Sequence, residues 1–393
     1  VREAVSTAFE TERSRVLASL IRMTGDWELA QECVQDAFVR ALQRWPQEGV
    51  PRRPGAWLMT TAKNRAVDRL RRQTLEGQKL REVLLVPSAD DDPQEWPDER
   101  LALIFTCCHP ALSLESRIAL TLRTVVGMST EQTARAFLTS TAAMAQRLVR
   151  AQRKIRDAAI PYRVPPPQLL ADRLNGVLLV VYLLFNEGYS AVHRDVAAEA
   201  IRLGRLLLEL LPDQPDVRNL LALMLLQHSR AAARTDAMGD LITLEDQDRS
   251  LWDRTAIGEG LGLITTGPSV FQVQAAIAAC HAVAAAAADT DWRLIVSLYD
   301  GLAEIAPSPL VTLNRAVAVA MSDGPAAGLA LVDGLAPAEL TGYHLLPAVR
   351  ADLLRRLHRF AEAGRAYEVA LELAPTEAER RFLQRRIEQL GPP

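Results

Sequence analysis

Two groups of residues in this 393-residue chain have the types and spacing of a polyanion-binding surface. The first is Asn64, Arg65, Asp68, Arg69, Arg71 and Arg72; the second is Thr141, Ala143, Gln146, Arg147, Arg150 and Arg153. Guanidinium groups at helical spacing pair with phosphates, and an amide such as Asn64 or Gln146 reads base edges. A carboxylate such as Asp68 orients an arginine or accepts from a base amine. The chemistry expected is recognition of DNA rather than the making of bonds. Taken alone, a basic helical face is more often a solvated surface, so the case rests on the elements that carry these residues.

Other reactive residues form no such pattern. Cys107, Cys108 and His109 adjoin, but adjacent cysteines rarely share one tetrahedral zinc, and no second Cys/His pair lies at a useful spacing. They read as buried thiols ahead of a helix starting at Pro110. The remaining histidines are isolated, and no Gly-rich phosphate loop, nucleophile elbow or acid/base pair is present. The chain is therefore expected not to be an enzyme and to need no cofactor or metal.

The elements that must position the two groups are helical. Apolar residues recur at helical spacing throughout, and no alternating run of strand length appears, so the fold class expected is all-α. Asp26 caps a helix whose apolar stripe is Leu29, Cys33, Val34, Ala37, Phe38, Ala41 and Trp45. Pro46, Pro51 and Pro54 then break the chain before the first basic helix, which buries Met59, Ala62, Ala66, Val67 and Leu70. Ser129 opens a short second-block helix, and Ala134 supplies the small residue that a close helix crossing needs. A turn at Leu138-Thr139-Ser140 leads into the second basic helix, with Met144 and Leu148 inward. That is the grammar of a helix-turn-helix, although Leu138 stands where a glycine would ease a positive backbone angle.

Four parts follow along the chain: 1–75, an acidic linker at 76–100 around Asp90-Asp91-Asp92, a second block at 101–160, and a helical region at 168–393 beyond the proline-rich Pro161 to Pro167. The stretch from Leu353 to Pro375 has the small/large pattern and closing proline of a tetratricopeptide repeat, with His358 at the usual glycine position. Ser308 to Val317 reads as the opening of an earlier copy. Asn186 to Tyr189 reads as a helix end with Gly188 just past it. The net charge of −3 conceals the two basic helices, and four scattered cysteines suit a reducing cytoplasm. Val1 to Ala30 reads as charged amphipathic helix rather than a secretory leader. The most apolar run, Val177 to Phe185, is short of the roughly 20 residues a membrane span needs, so no membrane is expected as a partner.

Taken in order, these segments resemble bacterial extracytoplasmic-function sigma factors of the sigma-70 type. Asp26 to Phe38 looks like the region that grips the clamp helices of core RNA polymerase. Pro54 to Arg72 looks like the helix that opens and reads the minus-ten element, and Leu112 to Arg156 like the helix-turn-helix for the minus-thirty-five element. The resemblance implies core polymerase and promoter DNA as partners, with Glu32, Gln35, Asp36 and Arg40 on the polymerase-binding face. Ala145 stands where the family often has Lys, and Thr61 where it often has Ile. Residues 168–393 resemble the long helical extension of one subgroup, which is generally not paired with a membrane anti-sigma factor. An intramolecular contact between that extension and the first two blocks is expected. A helix-turn-helix regulator without polymerase affinity, or a scaffold built on the helical region, are the alternative readings.

Overall fold

Asp26 shows how local sequence sets the elements. Its carboxylate accepts from the backbone N–H groups of Glu28 (3.0 Å) and Leu29 (3.1 Å), satisfying donors that the first turn of a helix leaves open. The preceding residue, Gly25, has φ +67°, which lets the chain reverse between helices α1 (Arg2–Thr24) and α2 (Trp27–Glu48). The structure, a computed structural model, describes residues 2–73, 99–137, 139–189, 194–236, 238–335 and 340–390. Among the described residues the fold is all-α, and the one extended pairing is an isolated antiparallel bridge between Thr235 and Leu241. Most of the acidic linker at 76–100, and Leu138, lie outside the described residues.

The chain divides into two compact units, one of residues 1–187 with 198–203, the other of 188–197 with 204–393. The first unit opens with a three-helix bundle of α1, α2 and α3 (Pro54–Gln73), each packed on the other two. Leu17, Leu20, Cys33, Ala37, Trp45, Leu58, Ala62 and Ala66 fill its centre. Helix α2 does not stop at Trp45 as the prolines suggested. It runs to Glu48 with Pro46 in its last turn, and ends at Gly49, whose N–H returns to the Trp45 carbonyl (3.1 Å, φ +85°). A proline in the final turn forfeits one ladder bond without breaking a helix that is about to end. Leu70 is only partly buried, near the end of α3.

Four short helices follow: α4 (Arg100–Cys107), α5 (Leu114–Leu120), α6 (Thr130–Ala136) and α7 (Thr141–Asp157). A π-helical turn, Thr121–Val126, extends α5 and closes at Gly127 with φ +97°. After Cys107 the chain turns through Pro110, and the next helix is capped by Ser113 rather than started by that proline. Cys107 and Cys108 are buried, and desolvation raises both thiols, Cys108 to about 11. Among the described residues no cluster of three or more His, Cys, Asp or Glu side chains could hold a metal.

The proline-rich stretch does not close the first unit. Helix α8 (Pro167–Tyr189) belongs with it through residue 187, and Arg173 donates to the Phe105 carbonyl of α4 (2.7 Å). It runs straight through Gly188, so that glycine is helical and not a cap. Residues Pro167–Asn186 are long and apolar enough to cross a membrane, with mean hydropathy 1.5. In the fold Val177, Leu178, Val180, Val181, Leu184 and Phe185 are core residues, while Leu169 and Leu179 of the same helix are exposed, so the helix is buried along one side.

The second unit strings helices that, outside the stretch 229–253, are mostly joined by short connections. Helix α9 (Arg194–Leu210) is shared between the units, its residues 198–203 counting with the first; beyond it the second unit comprises α10 (Pro215–His228), α11 (Arg254–Leu263), α12 (Val270–Val283), α13 (Trp292–Ile305), α14 (Pro309–Ser322), α15 (Pro325–Asp333), α16 (Leu345–Arg356), α17 (Phe360–Leu373) and α18 (Glu377–Glu388). Ser308 caps α14 with Pro309 at the first helical position, and Gly328 lets α15 approach α14 closely. A Cβ at Gly328 would sit 2.6 Å from the Ala316 carbonyl oxygen. His358 takes φ +61°, the conformation that the glycine of such a turn supplies, and Arg359 N–H closes it on the Leu354 carbonyl (2.9 Å). The largely non-helical stretch 229–253 reaches the far end of this unit: Asp240 accepts from Arg381 (2.6 Å) and Arg385 (2.7 Å) of α18.

Candidate nucleic-acid interface

The first basic helix presents a different surface from the one its wheel implies. Asn64, Asp68 and Arg71 are exposed, and the side chain of Arg72 lies outside the described residues. Arg65 and Arg69, however, turn toward α2. Arg65 Nε donates to Asp36 Oδ2 (2.8 Å), Arg69 is bonded to Glu32, and a second Arg69 nitrogen lies 3.5 Å from Asp36. The expected polymerase-facing acids and two of the expected DNA-facing arginines are thus one ion-pair ladder. The reason is geometric: α2 and α3 run antiparallel, and acids four residues apart on one meet arginines four residues apart on the other. That signal was present in the spacing, and reading each helix alone missed it.

What remains outward on α2 is mixed. Glu32, Gln35 and Arg40 are exposed, and Asp36 is half-buried beneath its arginines. Val39 and Leu42, which no motif singled out, are 45% and 49% exposed. They follow Gln35 at four- and seven-residue spacing, so they continue its face as an apolar strip. A sequence wheel assigns them to the solvent side, where large apolar residues are a docking signal.

In the second block Ser129 and Gln132 cap α6 reciprocally: the Ser129 hydroxyl accepts from Gln132 N–H (3.0 Å), and Gln132 Oε1 accepts from Ser129 N–H (2.7 Å). Ala134 is buried at the crossing with α7. Ser140 caps α7 by accepting from Ala143 N–H (3.2 Å), and Met144 and Leu148 are buried beneath it. Thr141, Ala143, Gln146, Arg150 and Arg153 are exposed, the last four at three- and four-residue steps along the helix. Arg147 is not fully presented: it is half-buried, its guanidinium 5.2 Å from the Phe137 ring centroid. Among the described residues no carboxylate lies in ion-pair reach of Arg150 or Arg153, so α7, unlike α3, keeps an uncompensated positive face.

The two blocks are joined by a residue that no motif marked. Arg13 of α1 is 7% exposed and donates to the carbonyls of Thr124 (3.1 Å) and Arg123 (3.4 Å) in the π-turn. It replaces amide donors that this wide turn leaves without partners. Burial, helped by the nearby Arg123, lowers its pKa to about 10. Gly127 lies against it, and a Cβ there would be 3.2 Å from the guanidinium. Tyr162 adds to the same seam, its hydroxyl donating to the Ala18 carbonyl (2.8 Å) while its own carbonyl accepts from Arg22 (2.8 Å). Burial raises the Tyr162 phenol well above its ordinary range.

The described part of the first unit is thus a three-helix bundle with one charge ladder, followed by a capped helix pair whose second helix carries exposed arginines. Comparison with known proteins places it further. Residues 8–76 match the sigma-70 region 2 family, and residues 173–266 match a family of unknown function, DUF6596. The first block is thus that of a sigma-70-type factor. The probable ECF RNA polymerase sigma factor SigI of Mycobacterium tuberculosis (strain ATCC 25618 / H37Rv) is 24% identical over 173 residues, 42% of this chain and 59% of that protein. The uncharacterized protein R00370 of Rhizobium meliloti (strain 1021) is 43% identical over 98% of this chain and 96% of its own length. The chain belongs to the same family as that Rhizobium protein, and the region 2 match together with the likeness to SigI supports a sigma-factor role.

Proposed function

We propose that this chain is a promoter-specificity subunit of the extracytoplasmic-function type, which binds core RNA polymerase in the cytoplasm and directs it to a small set of promoters. The region 2 match over 8–76, on the bundle carrying α2 and α3, is the observation that carries the reading. Its mechanism is positioning, with no covalent step of its own. Exposed Gln35, Val39 and Leu42, with Glu32 and Arg40 alongside, form the polymerase-docking face. Asn64, Asp68 and Arg71 hold separated bases of the downstream element. Helices α6 and α7 act as a helix-turn-helix on the upstream element, with Ala143 and Gln146 near base edges and Arg150 and Arg153 on phosphates.

Arg65 and Arg69 then act through Asp36 and Glu32, keeping the polymerase face and the DNA face in fixed relation. The helix pairs of 204–393 form a tetratricopeptide-like regulatory extension, in place of a membrane anti-sigma partner. Because α8 belongs to the first unit, the extension begins beyond it.

The test is transcription by core polymerase of fragmented genomic DNA with and without the intact chain, reading the 5′ ends of the products. Starts that share a two-part upstream sequence are expected, together with co-purification of chain and core. No polymerase binding and no new starts would sink the proposal and favour a regulator without polymerase affinity. Replacing Gln146 by Ala should relax base choice by about 1–3 kcal/mol, whereas Arg153→Ala should weaken matched and scrambled sites alike.

A further inference from the structure

The second unit carries a partly open cavity of about 260 Å³ that no sequence motif marks. Its walls come from distant parts of the unit: the stretch 243–249, the end of α12, the start of α13, and helices α14, α16, α17 and α18. One side is apolar and aromatic, with Trp292, Tyr367, Phe382 and Met321. The other carries four arginines, Arg249, Arg355, Arg356 and Arg386, against two carboxylates, Glu245 and Asp352. A surplus of positive charge in a partly enclosed apolar space attracts an anion more strongly than the same charges would in open water.

The arginines are not equivalent. Arg249 is committed to the open end of α12, donating to the His281 (2.7 Å) and Ala284 (2.8 Å) carbonyls. Arg355 and Arg356 both bond to Asp352 at 2.6 Å, and Arg356 reaches Glu245 as well (3.3 Å). Arg386 is different. Its polar partner is the neutral Gln389 amide (3.3 Å), its guanidinium lies 5.2 Å from the Phe382 ring centroid, and among the described residues it has no carboxylate. His281 adds no charge, because desolvation and the neighbouring arginines Arg230 and Arg249 lower its pKa to about 4. Its ring stands edge-on to Trp292 (5.2 Å), and its Nδ1 is buried without a hydrogen-bond partner.

We propose that this cavity is a binding site for a small aromatic carboxylate, with the acid on Arg386 and the ring against Trp292 and Phe382. A planar guanidinium fork matches a carboxylate with two parallel hydrogen bonds. The volume is just under the roughly 300–1,000 Å³ of drug-sized sites, which selects a single-ring acid. The inference concerns binding and stands whether or not the chain is a sigma factor.

Calorimetric titration of the intact chain with benzoate, neutral benzamide and ring-less acetate reads it. Benzoate should bind one to one, with benzamide and acetate about tenfold or more weaker. Arg386→Gln should weaken benzoate by about the same factor. In the unaltered chain benzoate should also change tryptophan fluorescence, and Trp292→Phe, which keeps an aromatic ring in the wall, should abolish that change at benzoate concentrations that saturate the variant and weaken its calorimetric binding about threefold. No benzoate binding, equal binding of benzamide, or an unchanged fluorescence response after Trp292→Phe would each overturn the assignment. The fluorescence arm keeps it refutable even if the arginine variant fails to fold.

Discussion

Replacing Arg13 with Met tests whether one buried guanidinium holds the two sequence blocks of the first unit together. Met preserves most of the aliphatic bulk and removes the charge. Burial and the nearby Arg123 disfavour that charge, lowering its pKa from 12.5 to about 10, while its hydrogen bonds and its approach to the Phe9 ring oppose that cost. Met removes the cost and the attraction together. What is left is two acceptors without a donor: about 1–3 kcal/mol for the buried Thr124 carbonyl and about 1 kcal/mol for the more accessible Arg123 carbonyl. The expected loss is therefore about 2–4 kcal/mol, confined to the seam between α1 and the π-turn. Hydrogen exchange read by mass spectrometry suits a two-unit chain, for which a single unfolding midpoint is poorly defined. Peptides spanning 114–128 should exchange at least about 30-fold faster in the variant, while peptides from 345–373 in the other unit should not change. Exchange at 114–128 within twofold of the parent would mean that Arg13 does not join the blocks.

Asp36→Lys should perturb more than polymerase docking, because it sets a third cation beside Arg65 and Arg69; slower exchange-protected amides in α2 and α3 are expected to become faster, and protection equal to the parent would refute the ladder's role. His358→Gly should raise stability of the α16–α17 pair by about 1 kcal/mol, less what the edge contact with Phe360 contributes, measured by exchange of 345–373 peptides. A destabilised pair would show that the ring contact outweighs the backbone strain. His281 is held below its ordinary pKa, so between pH 6.5 and about 4 the unfolded chain takes up a proton that the folded chain does not. Stability should fall as pH drops through that window, by up to about 3 kcal/mol, and urea titrations at pH 7 and 4.5 should show the parent losing more than His281→Phe. Equal losses in both would place the pH sensitivity elsewhere.

The amino-acid sequence alone settled what is local. Helical periodicity fixed the all-α class, because side-chain spacing along a single helix decides which face is buried. Asp26, Ser129 and Ser140 marked helix starts because a cap bonds to amides two or three residues away. His358 was visible as a misfit at a turn for the same reason, since backbone angle is a property of one residue. Tertiary structure alone decided which charges meet. Whether Arg65 and Arg69 face solvent or Asp36 and Glu32 depends on how α3 lies against α2, and wheels drawn for one helix at a time carry no such information. Arg13 looks like any surface arginine until a π-turn 110 residues away presents two carbonyls to it. The cavity is the extreme case, with walls that span residues 243 to 386 and touch only after the helix pairs have stacked. Contacts so distant in the chain leave no periodic trace in it, because their register is set by accumulated packing and not by any local repeat.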